Sequence, residues 1–127
     1  MEEQQKKKHV LFVDDDPATR RLFGAKLGAA GFEVLYAEDG DQEFEMAKRL
    51  HPDLIVTDID MPHTDGIQAV YRLRKDPETQ NIPIIILTNA DLSVTAEKAL
   101  KEVRGAEYMP KGTDLEAFVE RVKKIIG

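Results

Sequence analysis

The chain has 127 residues, 24 acidic and 18 basic, for a formal net charge of -6; this is one domain's length, able to bury roughly two-thirds of its unfolded surface, and too acidic for a broad nucleic-acid-binding face. With no cysteine, disulfides, zinc–thiolate sites and thiol chemistry are excluded. No apolar run approaches the ~18 residues of a membrane span and the opening MEEQQKKK has no apolar secretory segment, so a cytoplasmic protein with no membrane or direct nucleic-acid partner is expected.

Residues 1–8 read as a flexible N-terminal tail and residues 9–127 as the domain. Along that domain the periodicity alternates between strand and helix. His9 to Val13 is a short apolar run ended by acids. Pro17 suits a first helical turn, and the helix to Ala30 closes on Gly31, a natural C′ residue. Glu33 to Ala37 is a second strand. The helix from Asp41 to Leu50 puts Phe44, Ala47 and Leu50 on one face and is ended by His51-Pro52.

Asp53 to Thr57 is the third strand. Asp65 with Gln68 can cap the next helix, whose apolar side is Ile67, Val70 and Tyr71. Ile84 to Leu87 is the most apolar strand, as a central strand should be. A helix carrying Ala96, Ala99, Leu100 and Val103 runs to Gly105, and a short strand covers Glu107 to Met109. The last helix starts at a Thr113/Glu116 capping box, with Leu115, Phe118, Val119, Val122, Ile125 and Ile126 as its stripe.

Five strand–helix units in succession imply a parallel sheet with helices on both faces. Ligands of such sheets bind beyond the carboxyl ends of the strands, so the residues that follow strands are the candidates. Asp14, Asp15 and Asp16 follow the first strand, Asp58 the third, Thr88 ends the fourth and Lys111 follows the fifth. If the first and third strands are neighbours, Asp14, Asp15 and Asp58 converge, and like charges that close need a cation. Oxygen-only ligands suit a hard ion such as Mg²⁺, while a hydroxyl and a lysine suit phosphoryl oxygens.

Together these groups describe phosphoryl transfer to an aspartate nucleophile. Asp58 is the one acid that closes a buried strand alone, which assigns it that role. Each sign has a plainer reading: Asp14-Asp15-Asp16-Pro17 could serve only as a helix N-cap, and Thr88 or Lys111 alone would be ordinary. Their weight lies in falling together at strand ends. Glycine-rich phosphate loops are absent.

These residues resemble the receiver domain of bacterial two-component response regulators over essentially the whole chain. VLFVDDDPATRRL is similar to the family's first strand and acidic cluster, and DLIVTDIDMPHTDGI carries its Asp-x-x-Met-Pro-x-x-Asp-Gly pattern from Asp58 to Gly66. IIILTNA supplies its threonine as Thr88. GAEYMPKG supplies its lysine as Lys111 and its switch aromatic as Tyr108.

The resemblance implies a flavodoxin-like (βα)5 doubly wound fold with strand order 2-1-3-4-5. It implies that Asp58 takes a phosphoryl group from the phosphohistidine of a sensor histidine kinase or histidine phosphotransfer protein. Asp15 would ligate Mg²⁺ directly, Asp14 would hold a metal-bound water, and the backbone carbonyl of Asp60 would be a further ligand. Thr88 and Tyr108 would reorient on phosphorylation, switching the face of the fourth helix, fifth strand and fifth helix for a downstream protein target. Such a protein catalyses only its own phosphorylation and dephosphorylation.

Three departures bear on phosphoryl lifetime. Gly112 follows Lys111 where the family usually has proline, Asn89 follows Thr88 where a small residue is common, and Asp60 adds a carboxylate beside the acceptor. His63 in the acceptor loop, and His9 and His51 at element edges, read as ordinary loop and edge residues. The alternatives are a pseudo-receiver that only binds protein and a haloacid-dehalogenase-type phosphatase, suggested by Asp58-x-Asp60. Without metal, the clustered acids should repel one another, so that Asp14→Ala raises the melting temperature. The chain ends directly after the fifth helix, which fits either a stand-alone regulator or an excised receiver.

Overall fold

A computed structural model describes residues 7–61, 64–88 and 103–127, with side chains outside residues 60–66. Five parallel strands form one sheet: β1 (His9–Val13), β2 (Glu33–Ala37), β3 (Leu54–Asp58), β4 (Ile84–Thr88) and β5 (Ala106–Pro110). Their order is β2-β1-β3-β4-β5, the flavodoxin-like doubly wound arrangement, whose strand order reverses beside β1 and β3. The inner strands β3 and β4 are buried along their whole length, as strands covered on both faces must be, whereas the edge strand β2 is half-exposed. Pro110 ends the other edge strand, where a missing ladder donor does least harm.

Among the described residues the helices are α1 (Pro17–Ala29), α2 (Gly40–Leu50), α3 (Gly66–Lys75) and α4 (Leu115–Ile126). Strand residues alternate between two apolar clusters because successive side chains point to opposite faces. Val10, Phe12, Leu54, Val56, Ile85 and Leu87 pack with Phe23 and Leu27 of α1 and Phe118, Val119 and Val122 of α4. Leu11, Val13, Ile55, Ile84 and Ile86 pack with Ala47 of α2 and Val70 and Leu73 of α3. Helices therefore cover both faces. No helix among the described residues is long and apolar enough to cross a membrane.

The caps explain the boundaries. Asp16 closes the start of α1 by accepting from Ala18 N, and Gly31, at φ 99, takes the left-handed conformation just beyond its end. Asp39 caps α2, and His51 in the left-handed region ends it. The last helix starts one residue later than its capping box suggested: Asp114, not Thr113, accepts from Ala117 N at 3.2 Å.

Two other expectations need correction. Leu50 is 43% and Tyr71 37% exposed, and neither faces the core. The buried stripe of α2 is Gly40, Glu43 and Ala47, and α3 buries Ala69, Val70 and Leu73. A two-stranded antiparallel ladder, Asp60–Met61 with Thr64–Asp65, was not anticipated. The Asp65 cap, His63, Asn89 and the helix carrying Ala96, Ala99 and Leu100 fall outside the described side chains or residues. Only Val103, at that helix's expected end, is described, and it is buried.

Candidate functional site

Parallel pairing of β1 with β3, and of β3 with β4, brings the first, third and fourth strand ends side by side. Asp58 is the last residue of β3, opposite Leu87, and is 3% exposed. Asp14 directly follows β1, where its N–H donates to Ala37 O at 3.1 Å and prolongs the pairing with β2. Its side chain is fully buried, while Asp15 is exposed. Carboxylate oxygens of Asp14, Asp15 and Asp58 lie within 4.8 Å of one another. The expected convergence is therefore present.

Asp14 is held from several sides. Its Oδ1 accepts from Asp16 N at 2.9 Å, and its carbonyl accepts from Arg20 Nη1 at 2.7 Å. Arg20 was not singled out from the sequence, although it lies one helical turn after Asp16 on the strand-end side. Asp14 Oδ2 is buried without a well-directed hydrogen bond and has Lys111 Nζ at 2.8 Å as its ion-pair partner. Asp16 points elsewhere, with Thr19 Oγ1 donating to it at 2.6 Å, and that bond chiefly holds its carboxyl below the usual range. It is the helix cap, as the plainer reading had it.

Lys111 reaches the pocket because β5 lies beside β4. Its N–H donates to Thr88 O at 2.9 Å, and its Nζ donates to Asp58 Oδ2 at 2.9 Å. Partial burial works against the ammonium charge, but hydrogen bonds and attraction from Asp14 and Asp58 outweigh it, and its pKa stands above the ordinary lysine value. Thr88 is buried at the end of β4, opposite Pro110. Tyr108, opposite Ile86 on β5, is 44% exposed. The Lys111–Gly112 peptide is trans. Asp60 lies in the short ladder beyond Asp58 and its side chain is outside those described.

Among the described residues, three carboxylates with no nitrogen or sulfur ligand make an oxygen-only donor set, which fits a hard divalent cation. The buried, poorly directed Oδ2 of Asp14 is a further sign that this fit is not already satisfied by the protein.

A doubly wound domain with such a pocket at its carboxyl edge belongs to the class in which the sheet is a rigid mount for strand-end chemistry. More narrowly, the chain belongs to the response regulator receiver domain family, whose model matches residues 10–123. It is similar to protein PilH of Pseudomonas aeruginosa, 35% identical over 118 residues, covering 92% of this chain and 96% of that protein. It is 36% identical over 118 residues to the DNA-binding dual master transcriptional regulator RpaA of Synechocystis, but spans only 48% of that relative's length. Among solved structures, the chemotaxis response regulator CheY4 of Vibrio cholerae superposes with a TM-score of 0.84 at 27% identity, over 94% of this chain and 99% of that one. A Francisella response regulator receiver domain gives 0.81 at 29%, over 94% and 97%. The chain is a two-component signalling protein.

Proposed function

We propose that Asp58 accepts a phosphoryl group from the phosphohistidine of a sensor histidine kinase or a histidine phosphotransfer protein, with residues 9–127 as the unit that does so. The observation that carries this reading is Lys111 Nζ bridging Asp14 Oδ2 at 2.8 Å and Asp58 Oδ2 at 2.9 Å. An oxygen of Asp58 forms the new O–P bond as the P–N bond to the donor imidazole breaks, and the imidazole leaves with a proton. Lys111, kept cationic by its carboxylate partners, offsets charge on the transferring oxygens, and the Thr88 hydroxyl donates to one of them.

Asp14, Asp15 and Asp58, with the backbone carbonyl of Asp60, would hold Mg²⁺. When bound, the ion supplies charge neutralisation for the carboxylates and the phosphoryl oxygens. Once Asp58 carries the phosphoryl group as an acyl phosphate, Lys111 exchanges a carboxylate partner for a phosphoryl oxygen. Thr88 and Tyr108 then rearrange and bias a pre-existing equilibrium of the face that includes β5 and α4, where a downstream protein target binds.

Intact-protein mass spectrometry tests this with acetyl phosphate and with a phosphorylated histidine phosphotransfer protein, each with and without Mg²⁺. The expected result is gain of one hydroxylamine-labile phosphoryl group that needs Mg²⁺ and is lost in Asp58→Asn. No gain from either donor by wild type overturns the reading.

A further inference from the structure

One buried acid takes no part in the chemistry above. Glu43 sits one turn before Ala47 on the inner side of α2 and is fully buried. Its Oε1 accepts from Thr57 Oγ1 at 3.2 Å, while its Oε2 is buried with no hydrogen-bonding partner among the described residues. Thr57 directly precedes Asp58, and its hydroxyl also lies 3.4 Å from the Asp58 carbonyl oxygen. Both distances are long for O–H···O bonds, and one hydroxyl proton serves one acceptor at a time.

Burial pushes the Glu43 carboxyl up to about 8, and the Thr57 hydrogen bond draws it back only in part. Among the described residues, the charged groups near α2 that form ion pairs do so with other partners: Asp14 and Asp58 with Lys111, Arg72 of α3 with Asp41, and Lys48 with Asp76 and Glu78. A neutral carboxyl can donate to Thr57 Oγ1, which leaves the threonine proton to the Asp58 carbonyl. An ionised one can only accept, and takes that proton for itself. Glu43, Thr57 and the backbone of Asp58 thus form one chain of hydrogen-bonding groups from α2 to the acceptor.

Stability does not account for this pair, because apolar side chains of similar volume would fill the space with no polar group to desolvate. We propose that Glu43 is a positioning residue for phosphoryl acceptance: through Thr57 it fixes the carboxyl end of β3, so that the Asp58 side chain meets Lys111 and the acidic cluster. Side chains of adjacent strand residues leave on opposite faces, so a clamp on Thr57 from α2 sets the direction in which Asp58 points. This deepens the proposed function, and rests on Asp58 being the acceptor.

The test compares wild type, Glu43→Gln, Thr57→Val and the double variant Glu43→Leu/Thr57→Val in three measurements: thermal unfolding, initial rate of phosphorylation by acetyl phosphate at saturating Mg²⁺, and Mg²⁺ affinity by calorimetry. The double variant should melt at or above the wild-type temperature yet lose roughly tenfold in both phosphorylation rate and Mg²⁺ affinity, the lower end of the range seen when support around a metal site is removed. Glu43→Gln, which can still both donate and accept, should keep the wild-type rate. A double variant as stable as wild type with unchanged rate and Mg²⁺ affinity overturns the proposal. If it fails to fold, the isosteric Thr57→Val is judged by the same two losses. If wild type takes no phosphoryl group, the acceptor reading fails, and Mg²⁺ affinity alone then decides whether the pair positions Asp58.

Discussion

The two faces of the sheet are closed in different ways. Under α1 and α4 the seal is aromatic: Phe12 stacks on Phe23 with centroids 5.1 Å apart, and Phe23 meets Phe118 edge-on at 5.2 Å. Under α2 and α3 it is aliphatic, built from Leu11, Val13, Ile55, Val70, Leu73, Ile84 and Ile86, and it admits the Glu43–Thr57 pair. Aromatic rings bury large areas and gain from their mutual geometry, whereas a carboxyl in an apolar layer weakens that layer. The face that carries the compromise lies directly behind the residue before Asp58. One face is built for stability, and the other gives some up beside the site.

Core truncations should separate the faces most strongly. Phe118→Ala removes the ring that closes the aromatic cluster and should cost about 3–5 kcal/mol by denaturant unfolding. Leu73→Ala, equally buried on the other face, should fall toward the lower end of the ~2–5 kcal/mol range for such changes. Equal losses would mean that the polar pair does not soften its layer.

The pair itself should make stability depend on pH. The Glu43 carboxyl titrates near 4.5 when unfolded and near 8 when folded, so across that window the native state holds the extra proton. Stability is then greatest below pH 4.5 and falls as pH rises to 8, by up to about 1.4 kcal/mol per pH unit. Glu43→Gln has no such proton. Its melting temperature should overtake that of wild type progressively between pH 5 and pH 8, and a constant difference over that range would show that Glu43 is not held neutral in the fold.

The same contrast explains what could be read from the sequence. Strand runs such as Ile84–Leu87 and the stripe of α4 are apolar at regular spacing, so the parallel sheet was legible, its strand order came only with the family resemblance, and acids, hydroxyl and lysine at strand ends located the pocket. Glu43 escaped because a glutamate on an amphipathic helix is normally solvated. The sign available was the 40, 43, 47 spacing, which places it under Gly40 and above Ala47. Leu50 and Tyr71 misled for the opposite reason: apolar residues at a helix edge are read as core, yet here they face outward. Arg20 and Thr57 act through one backbone carbonyl and one carboxyl, contacts that no residue pattern announces.

A smaller effect is expected in the acidic cluster. Asp14→Ala is a poor probe of carboxylate repulsion, because it also strips the acceptor of Asp16 N and a partner of Lys111. Asp15 is exposed and belongs to the same group. Asp15→Asn should stabilise the metal-free protein by up to about 1 kcal/mol and weaken Mg²⁺ binding. The two proteins should therefore exchange rank in melting temperature when Mg²⁺ is added. Asp15→Asn melting below wild type without Mg²⁺ would count against repulsion in the cluster.

The smallest effect should come from the rim of the aliphatic face, where α2 and α3 are joined at the surface. Arg72 Nη1 lies 2.9 Å from Asp41 Oδ1 and its guanidinium sits 4.3 Å from the Phe44 ring centroid. The ion pair is exposed and screened, so Asp41→Asn should cost at most about 0.5 kcal/mol and nothing at high salt. Stacking on Phe44 does not need Asp41 and survives salt, so Arg72→Ala should cost more than Asp41→Asn under both conditions. If the two variants lost the same stability and both losses vanished in salt, the rim would be held by charge alone, and the stacking of Arg72 on Phe44 would add nothing to it.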